Sequence, residues 1–262
     1  LTIVDAIILG VVEGLTEFLP ISSTGHLILV SSLLGIQQTS AHKAFEVAIQ
    51  LGSILAVVFL YRKRMFSDFE LWKKLIVAFI PTGVLGFLLY KLIKSLFNPY
   101  TTSIMLILGG IIFIIVEKMY KPSEHNIKTL DKIPYKKAFF IGFFQSLAMI
   151  PGTSRSGATI IGGLLLGFDR KVATEFSFLL AVPTMFVATT YDIYKNYHNF
   201  QLDNWINLAV GFIVAFISAI FSIKVFLKFV SKHNFIPFGI YRIFIGTIFL
   251  ILLILGIINI QQ

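Results

Sequence analysis

Six stretches of the chain run almost without charge for the length of a membrane crossing. They lie near 44–61, 73–94, 101–117, 173–191, 206–228 and 237–258. A helix needs roughly 17 to 25 apolar residues to cross a hydrocarbon core, so each is predicted to be a transmembrane helix. Two further apolar regions, 2–35 and 136–167, follow a different pattern. Each is interrupted at its middle by a proline and a cluster of small hydroxyl residues, Pro20 with Ser22, Ser23 and Thr24, and Pro151 with Thr153 and Ser154. Proline lacks the N–H and disfavours helical geometry in the residue before it, so each region is predicted to be two half-helices. The fold class that follows is all-α and polytopic.

The two interrupted regions resemble each other. GVVEGLTEFLPISSTGHL (10–27) parallels GFFQSLAMIPGTSRSGAT (142–159), which sets Pro20 opposite Pro151, Ser23 opposite Ser154 and Glu13 opposite Gln145. Further on, Phe45-Glu46 matches Glu175-Phe176. The segment from Asn98-Pro99 to Gly109 likewise matches that from Ile236-Pro237 to Gly246. The chain therefore reads as one membrane domain, 1–262, of two repeats, about 1–120 and 134–262, joined by a basic loop. Each repeat would hold a re-entrant broken helix pair and three spans. Three is odd, so the second repeat is expected to enter the membrane inverted, the topology that builds a polar site near the bilayer midplane.

Composition agrees with the pattern. Hydrophobic residues make up 56% and charged ones 13%, against about 25% charged in soluble domains. Loops 62–74, 118–137, 168–172 and 224–236 hold 16 of the 22 Lys and Arg residues, which makes that side cytoplasmic. Both termini and the mouth of the first broken pair then face outward. The net charge of +9 is thus a record of topology, and no nucleic-acid partner is expected. No cysteine is present, which excludes thiol chemistry and thiolate metal sites. A cleavable signal peptide is not expected either.

Two arginines, Arg155 and Arg242, belong to no loop. Arg155 sits in the middle of the second broken pair. Ser22, Ser23 and Thr24 are suited to cap one half-helix, Thr153 and Ser154 the other, and helix N-termini attract anions. Two such termini brought together with the Arg155 guanidinium would hold phosphate oxygens, with the hydroxyls as further donors. Glu13 and Glu17, four apart, share a helix face about 5 to 6 Å apart. Two carboxylates beside an anion predict a divalent cation with oxygen ligands, Mg²⁺ or Ca²⁺, bridging acids and phosphate. His26 follows Ser23 by three residues and joins the site. His42, His125, His198 and His233 fall in expected loops as solvated groups, while Glu46, Gln50 and Glu175 read as supports behind the site or as cavity lining. A hydroxyl beside a base, donors for phosphate, an arginine and a metal together match phosphoryl transfer, so a membrane phosphatase is expected.

EGLTEFLPISSTGH and PGTSRSGAT, with FEVAIQLGSILAV (45–57) and EFSFLLAVP (175–183), resemble the undecaprenyl pyrophosphate phosphatases of bacteria, the BacA-type bacitracin-resistance family. The resemblance runs over nearly the whole chain. It implies hydrolysis of undecaprenyl pyrophosphate to undecaprenyl phosphate and inorganic phosphate, recycling the lipid carrier for cell-wall synthesis, with a divalent-cation requirement. The functional residues it implies are Glu13, Glu17, Ser23, His26, Ser154, Arg155 and Thr159. Two routes stay open: attack by Ser23, with Glu17 or His26 taking its proton, or attack by an activated water. The expected setting is a multi-pass protein of the bacterial inner membrane with its site open to the periplasmic face. Its partners would be the polyprenyl pyrophosphate lipid and, as an allowed assembly, a second copy in a homodimer. The architecture alone also admits a polyprenyl-phosphate flippase or anion transporter. What favours an enzyme is the acid pair beside Ser23 and His26, which a carrier does not need.

Overall fold

Both expected breaks fall at the proline and hydroxyl clusters. The computed structural model describes residues 1–37, 39–196 and 205–258. Among these, the first broken pair is α1 (Ile3–Thr16) and α2 (Ser23–Leu33). Three long helices follow, α3 (Ser40–Leu60), α5 (Phe69–Leu88) and α7 (Pro99–Met119), with short α4 (Arg62–Ser67) and α6 (Tyr90–Ser95) after the first two. The second pair is α8 (Tyr135–Leu147) and α9 (Arg155–Leu165), followed by α10 (Arg170–Asn196), α11 (Trp205–Val230) and α12 (Ile236–Ile254). Six of these helices are long and apolar enough to cross a membrane. The protein is an all-α, multi-pass membrane protein.

Local chemistry sets the helix ends. The Thr2 hydroxyl and the Asp5 carboxylate cap α1 reciprocally. Asn98 accepts from the Thr101 amide, and Pro99 opens α7 where its missing N–H is not needed. Two expectations shift. The span near 73–94 begins earlier, at Phe69 behind an Asp68 cap, and ends at Leu88 before the separate turn of α6. Pro81 and Pro183 lie inside α5 and α10 without ending them, which neighbouring helices permit in a membrane protein.

The broken pairs are held by close helix contacts. A Cβ on Gly10 would meet the Gly211 carbonyl of α11 at 2.7 Å, and one on Gly142 would meet the Ala78 carbonyl of α5 at 2.2 Å. Backbones approach this closely only over small residues. Phe113, Phe168, Phe176, Phe178, Phe226 and Phe235 fill the core. Beneath them Arg170 of α10 forks onto Glu117 of α7, whose other oxygen accepts from the Phe235 amide before α12. Large side chains such as Phe87, Ile112 and Ile217 face outward, as a lipid-facing belt requires.

His42 departs from expectation. The Thr39 cap starts α3 before His42 rather than after it, so the ring lies on the helix and is 1% exposed. His125 and His233 are exposed, and His198 lies outside the described residues.

Candidate active site

The two half-helices that follow the breaks start in the same unusual way. Ser22 has φ 70° and Ser154 φ 73°, the only non-glycine residues with positive φ among those described. The left-handed turn lets each hydroxyl fold back as an N-cap, Ser22 Oγ accepting from the Gly25 amide at 3.3 Å and Ser154 Oγ from Gly157 at 3.1 Å. This shared conformation corrects the expected pairing by one residue. Ser22, not Ser23, corresponds to Ser154. On the same spacing Ser23 corresponds to Arg155, and Glu13 to Gln145, as expected.

A cavity of about 140 Å³ lies between the two turns, lined by Glu17, Ser22, Ser23, Thr24, Ser154 and Arg155, with Gln50, Phe97 and Met185 at its sides. Glu17 is the hub. Its Oε2 accepts from Ser23 Oγ at 2.6 Å, and its Oε1 accepts from Arg155 Nη2 at 3.1 Å. The other guanidinium terminus, Nη1, donates to the Ser177 carbonyl at 3.0 Å, while Nε is buried without a partner. Both helices begin at this wall, so their first-turn amides add positive partial charge to the guanidinium.

Glu13 lies one helical turn behind Glu17, 0% exposed, and neither of its oxygens has a hydrogen-bond partner. Its counterpart Gln145 is fully engaged, donating to Thr82 Oγ1 at 2.9 Å and accepting from Thr184 Oγ1 at 3.1 Å. An unpaired buried charge is strongly unfavourable, so this carboxylate is suited to hold a proton or to face a cation.

Besides Glu13, two further expected site residues do not line the cavity. His26 directs Nδ1 at the Ser22 carbonyl and Nε2 at the Tyr241 hydroxyl, both at 2.8 Å. The carbonyl fixes the proton on Nδ1, so Nε2 accepts from Tyr241. Of the two proton acceptors expected for Ser23, the structure therefore places Glu17 within reach and directs His26 elsewhere. Thr159 Oγ1 is 2.7 Å from Ser177 Oγ and bonds the Arg155 carbonyl at 2.9 Å, which steadies Arg155 from behind.

The bacitracin resistance protein BacA family matches residues 6–248. The chain belongs to that family. The undecaprenyl-diphosphatase of Persephonella marina is 71% identical to it over 249 residues, 95% of this chain and 98% of the relative. That of a Sulfurihydrogenibium species is 68% identical with the same coverage. That of Wolinella succinogenes is 64% identical over 248 residues, 95% of this chain and 97% of the relative.

The structure adds residues to the site that the sequence did not assign. Arg242 of α12 is 0% exposed and faces no carboxylate. It donates instead to five carbonyls: Pro20 and Thr153 from Nη1, Gly152 and Met105 from Nη2, and Leu106 from Nε, at 2.9 to 3.3 Å. One guanidinium thus ties both turns to α7. Tyr241 beside it and Ser177 of α10 hold His26 and Arg155 in place. An apolar groove of about 490 Å³, lined by Leu85, Leu89, Ile93, Phe143 and Leu147 among others, adjoins the cavity. Leu96, Leu147 and Ile150 of the groove are chain neighbours of Phe97, Ala148 and Pro151 of the cavity.

Proposed function

We propose that the chain hydrolyses undecaprenyl diphosphate to undecaprenyl phosphate and inorganic phosphate. The observation that carries this reading is Glu17 holding Ser23 Oγ on one oxygen and the Arg155 guanidinium on the other. Ser23 Oγ attacks the terminal phosphorus as its proton passes to Glu17 Oε2. The bond from that phosphorus to the bridging oxygen breaks, and undecaprenyl phosphate leaves. Water then attacks the phosphoserine, Ser23 recovers its proton, and inorganic phosphate is released. Arg155, the half-helix termini and Thr24 hold the phosphate oxygens as charge builds on them. The isoprenoid chain lies in the adjoining groove.

Glu13, with its two oxygens free of donors, fits a divalent cation such as Mg²⁺ or Ca²⁺, held with Glu17 and the phosphates. Such an ion would neutralise diphosphate charge. The reading sets the protein in the bacterial inner membrane, its two halves inverted, the basic loops cytoplasmic and the cavity open to the periplasm. A homodimer would leave the site intact, since every residue named comes from one chain.

The test is phosphate release from a polyprenyl diphosphate by the purified protein in detergent with Mg²⁺. Glu17→Gln is expected to lower it by about 10²- to 10⁴-fold. Acid quenching should trap a phosphoenzyme that Ser23→Ala lacks. Appreciable turnover in Ser23→Ala would assign the attack to water, and a silent parent protein would return the site to a transport role.

A further inference from the structure

Helix α3 carries two stripes. Phe45, Ile49 and Gly52 pack against α11, where Gly211 lies under Phe45 and Ile49 and Gly52 abuts the Phe212 carbonyl. Part of a turn round the helix, His42, Glu46, Gln50 and Ser53 recur at intervals of four, four and three, so they stack on one face. That polar face runs for about 16 Å. Its two parts reach different cavities. His42 lines a pocket of about 560 Å³ where α1 begins, α2 ends and α3 begins, together with Asp5, Gln37 and Asn207. Gln50 lines the phosphate cavity.

Unpartnered polar atoms concentrate along this face. Seven buried side-chain nitrogen or oxygen atoms lack a hydrogen-bond partner among the described residues. Three are on the stripe, His42 Nδ1, Ser53 Oγ and Glu46 Oε1, the last answered only by a tautomer of His42 that carries its proton on Nε2, and two more are the oxygens of Glu13, toward which Glu46 and Ser53 are directed from α3. The remaining two, on Thr153 and Arg155, belong to the phosphate site. His42 Nε2 does have neighbours, Ser31 Oγ and Glu46 Oε1, each at 3.1 Å. Buried polar atoms without partners are few in native folds, and where they line up they are served by internal water.

We propose that the polar face of α3 lines a water-filled passage from the His42 pocket to the phosphate cavity, separate from the apolar groove, that admits water and small cations and excludes phosphate. Selectivity follows from charge. The groups facing the passage are Glu46 and His42 on α3, Glu13 on α1, and Asp5 at the pocket, whose carboxylate is tied to the Thr2 amide. Acids outnumber the one histidine, and a low-dielectric wall focuses their field. On the phosphatase reading, on which this consequence rests, a lipid headgroup seated in the cavity closes its groove side, and the hydrolytic water arrives along α3.

The chain has no cysteine, so single cysteines report without background. Gln50→Cys and Ser53→Cys are placed on the passage, and Ala56→Cys, buried on the neighbouring face, serves as the dry control. The probes are methanethiosulfonates of matched size, one cationic and one anionic, applied to the purified protein in detergent. Both passage positions should be modified while Ala56→Cys stays inert, and at Ser53→Cys, away from Arg155, the cationic reagent should react about tenfold faster than the anionic one. Adding His42→Trp, which fills the pocket, should slow modification at Ser53→Cys several-fold. Rates at both positions as low as at Ala56→Cys would mean a dry interface. Equal or inverted charge preference would remove the selectivity, and indifference to His42→Trp would route the reagent through the phosphate cavity instead. Any of these overturns the proposal. Glu46→Cys, on the same face and outside the phosphate cavity, carries the accessibility measurement if Ser53→Cys fails to fold. The readout needs no turnover, so a protein that releases no phosphate would defeat the activity reading while the labelling pattern still decided the passage.

Discussion

Replacing Arg242 with methionine should destabilise the fold by several kcal/mol, although Arg242 makes no ion pair among the described residues. Two of its five acceptors, the Met105 and Leu106 carbonyls, lie inside α7 and keep helical hydrogen bonds. The other three, Pro20, Gly152 and Thr153, lie in the two turns outside any helix. Leaving a buried acceptor unsatisfied costs about 1–3 kcal/mol. Three of them give roughly 3–9 kcal/mol, of which the lower figure applies if water enters the space left behind. Arg242→Lys has three donors on one atom and cannot span acceptors fanned around a planar fork, so it should fall between. At about 2–4 °C per kcal/mol for a chain of this size, Arg242→Met should lower the midpoint of thermal unfolding by at least about 6–12 °C. The assay is unfolding of the detergent-solubilised protein followed by tryptophan fluorescence. Because the same bonds set the spacing of the Ser22 and Ser154 turns, phosphate release should fall with stability, well below the unfolding midpoint. A methionine variant that melts with the parent and keeps its activity would refute the idea that one guanidinium holds both turns.

Glu13→Gln should leave the unfolding midpoint unchanged or higher, since it neutralises a buried carboxylate that has no donor. Cation-dependent phosphate release should nonetheless fall by about 10²-fold or more, measured across an Mg²⁺ titration. Gly109→Ala would place its Cβ 2.0 Å from Arg242 Nη2. Displacing that group should reproduce part of the Arg242→Met phenotype, with an overpacking loss of about 1–3 kcal/mol read from the same melting curves.

Much of this site could be read before any coordinates because its signals are local. A proline, hydroxyls and charges inside apolar runs mark Glu13, Glu17, Ser23 and Arg155 without reference to distant residues. Proline is a misleading landmark for aligning the halves. Pro20 is followed by Ile21 and Pro151 by Gly152, so the proline sits at different distances from the turn, and what the halves share is the positive φ of Ser22 and Ser154. No residue type announces that conformation. The direction of the His26 ring is hidden in the sequence for the opposite reason. Its partner Tyr241 lies 215 residues away, and periodicity cannot show a contact at that separation. Arg242 stood out as a charge in a span, but its acceptors are backbone carbonyls, which every residue offers. The groove escaped because a concave apolar surface and a lipid-facing one have the same composition.

Positions 132 apart in the chain show which features its two halves share and which they do not. The caps at Ser22 and Ser154 are the same, and Gly10 and Gly142 each lie against the carbonyl of a neighbouring helix. These positions set backbone geometry, and both halves need it. Side chains at the cavity and one turn behind it differ. Glu13 is a bare carboxylate where Gln145 is a bonded amide. Ser23 supplies a hydroxyl where Arg155 supplies a guanidinium, and the two meet on opposite oxygens of Glu17. On the same spacing the counterpart of Glu17 is Met149, which lines the apolar groove. The first half therefore presents acids and a hydroxyl, and the second presents positive charge and an apolar wall. A substrate with a diphosphate head and a hydrocarbon tail needs these two surfaces side by side, and a pair of identical halves would offer only one of them twice.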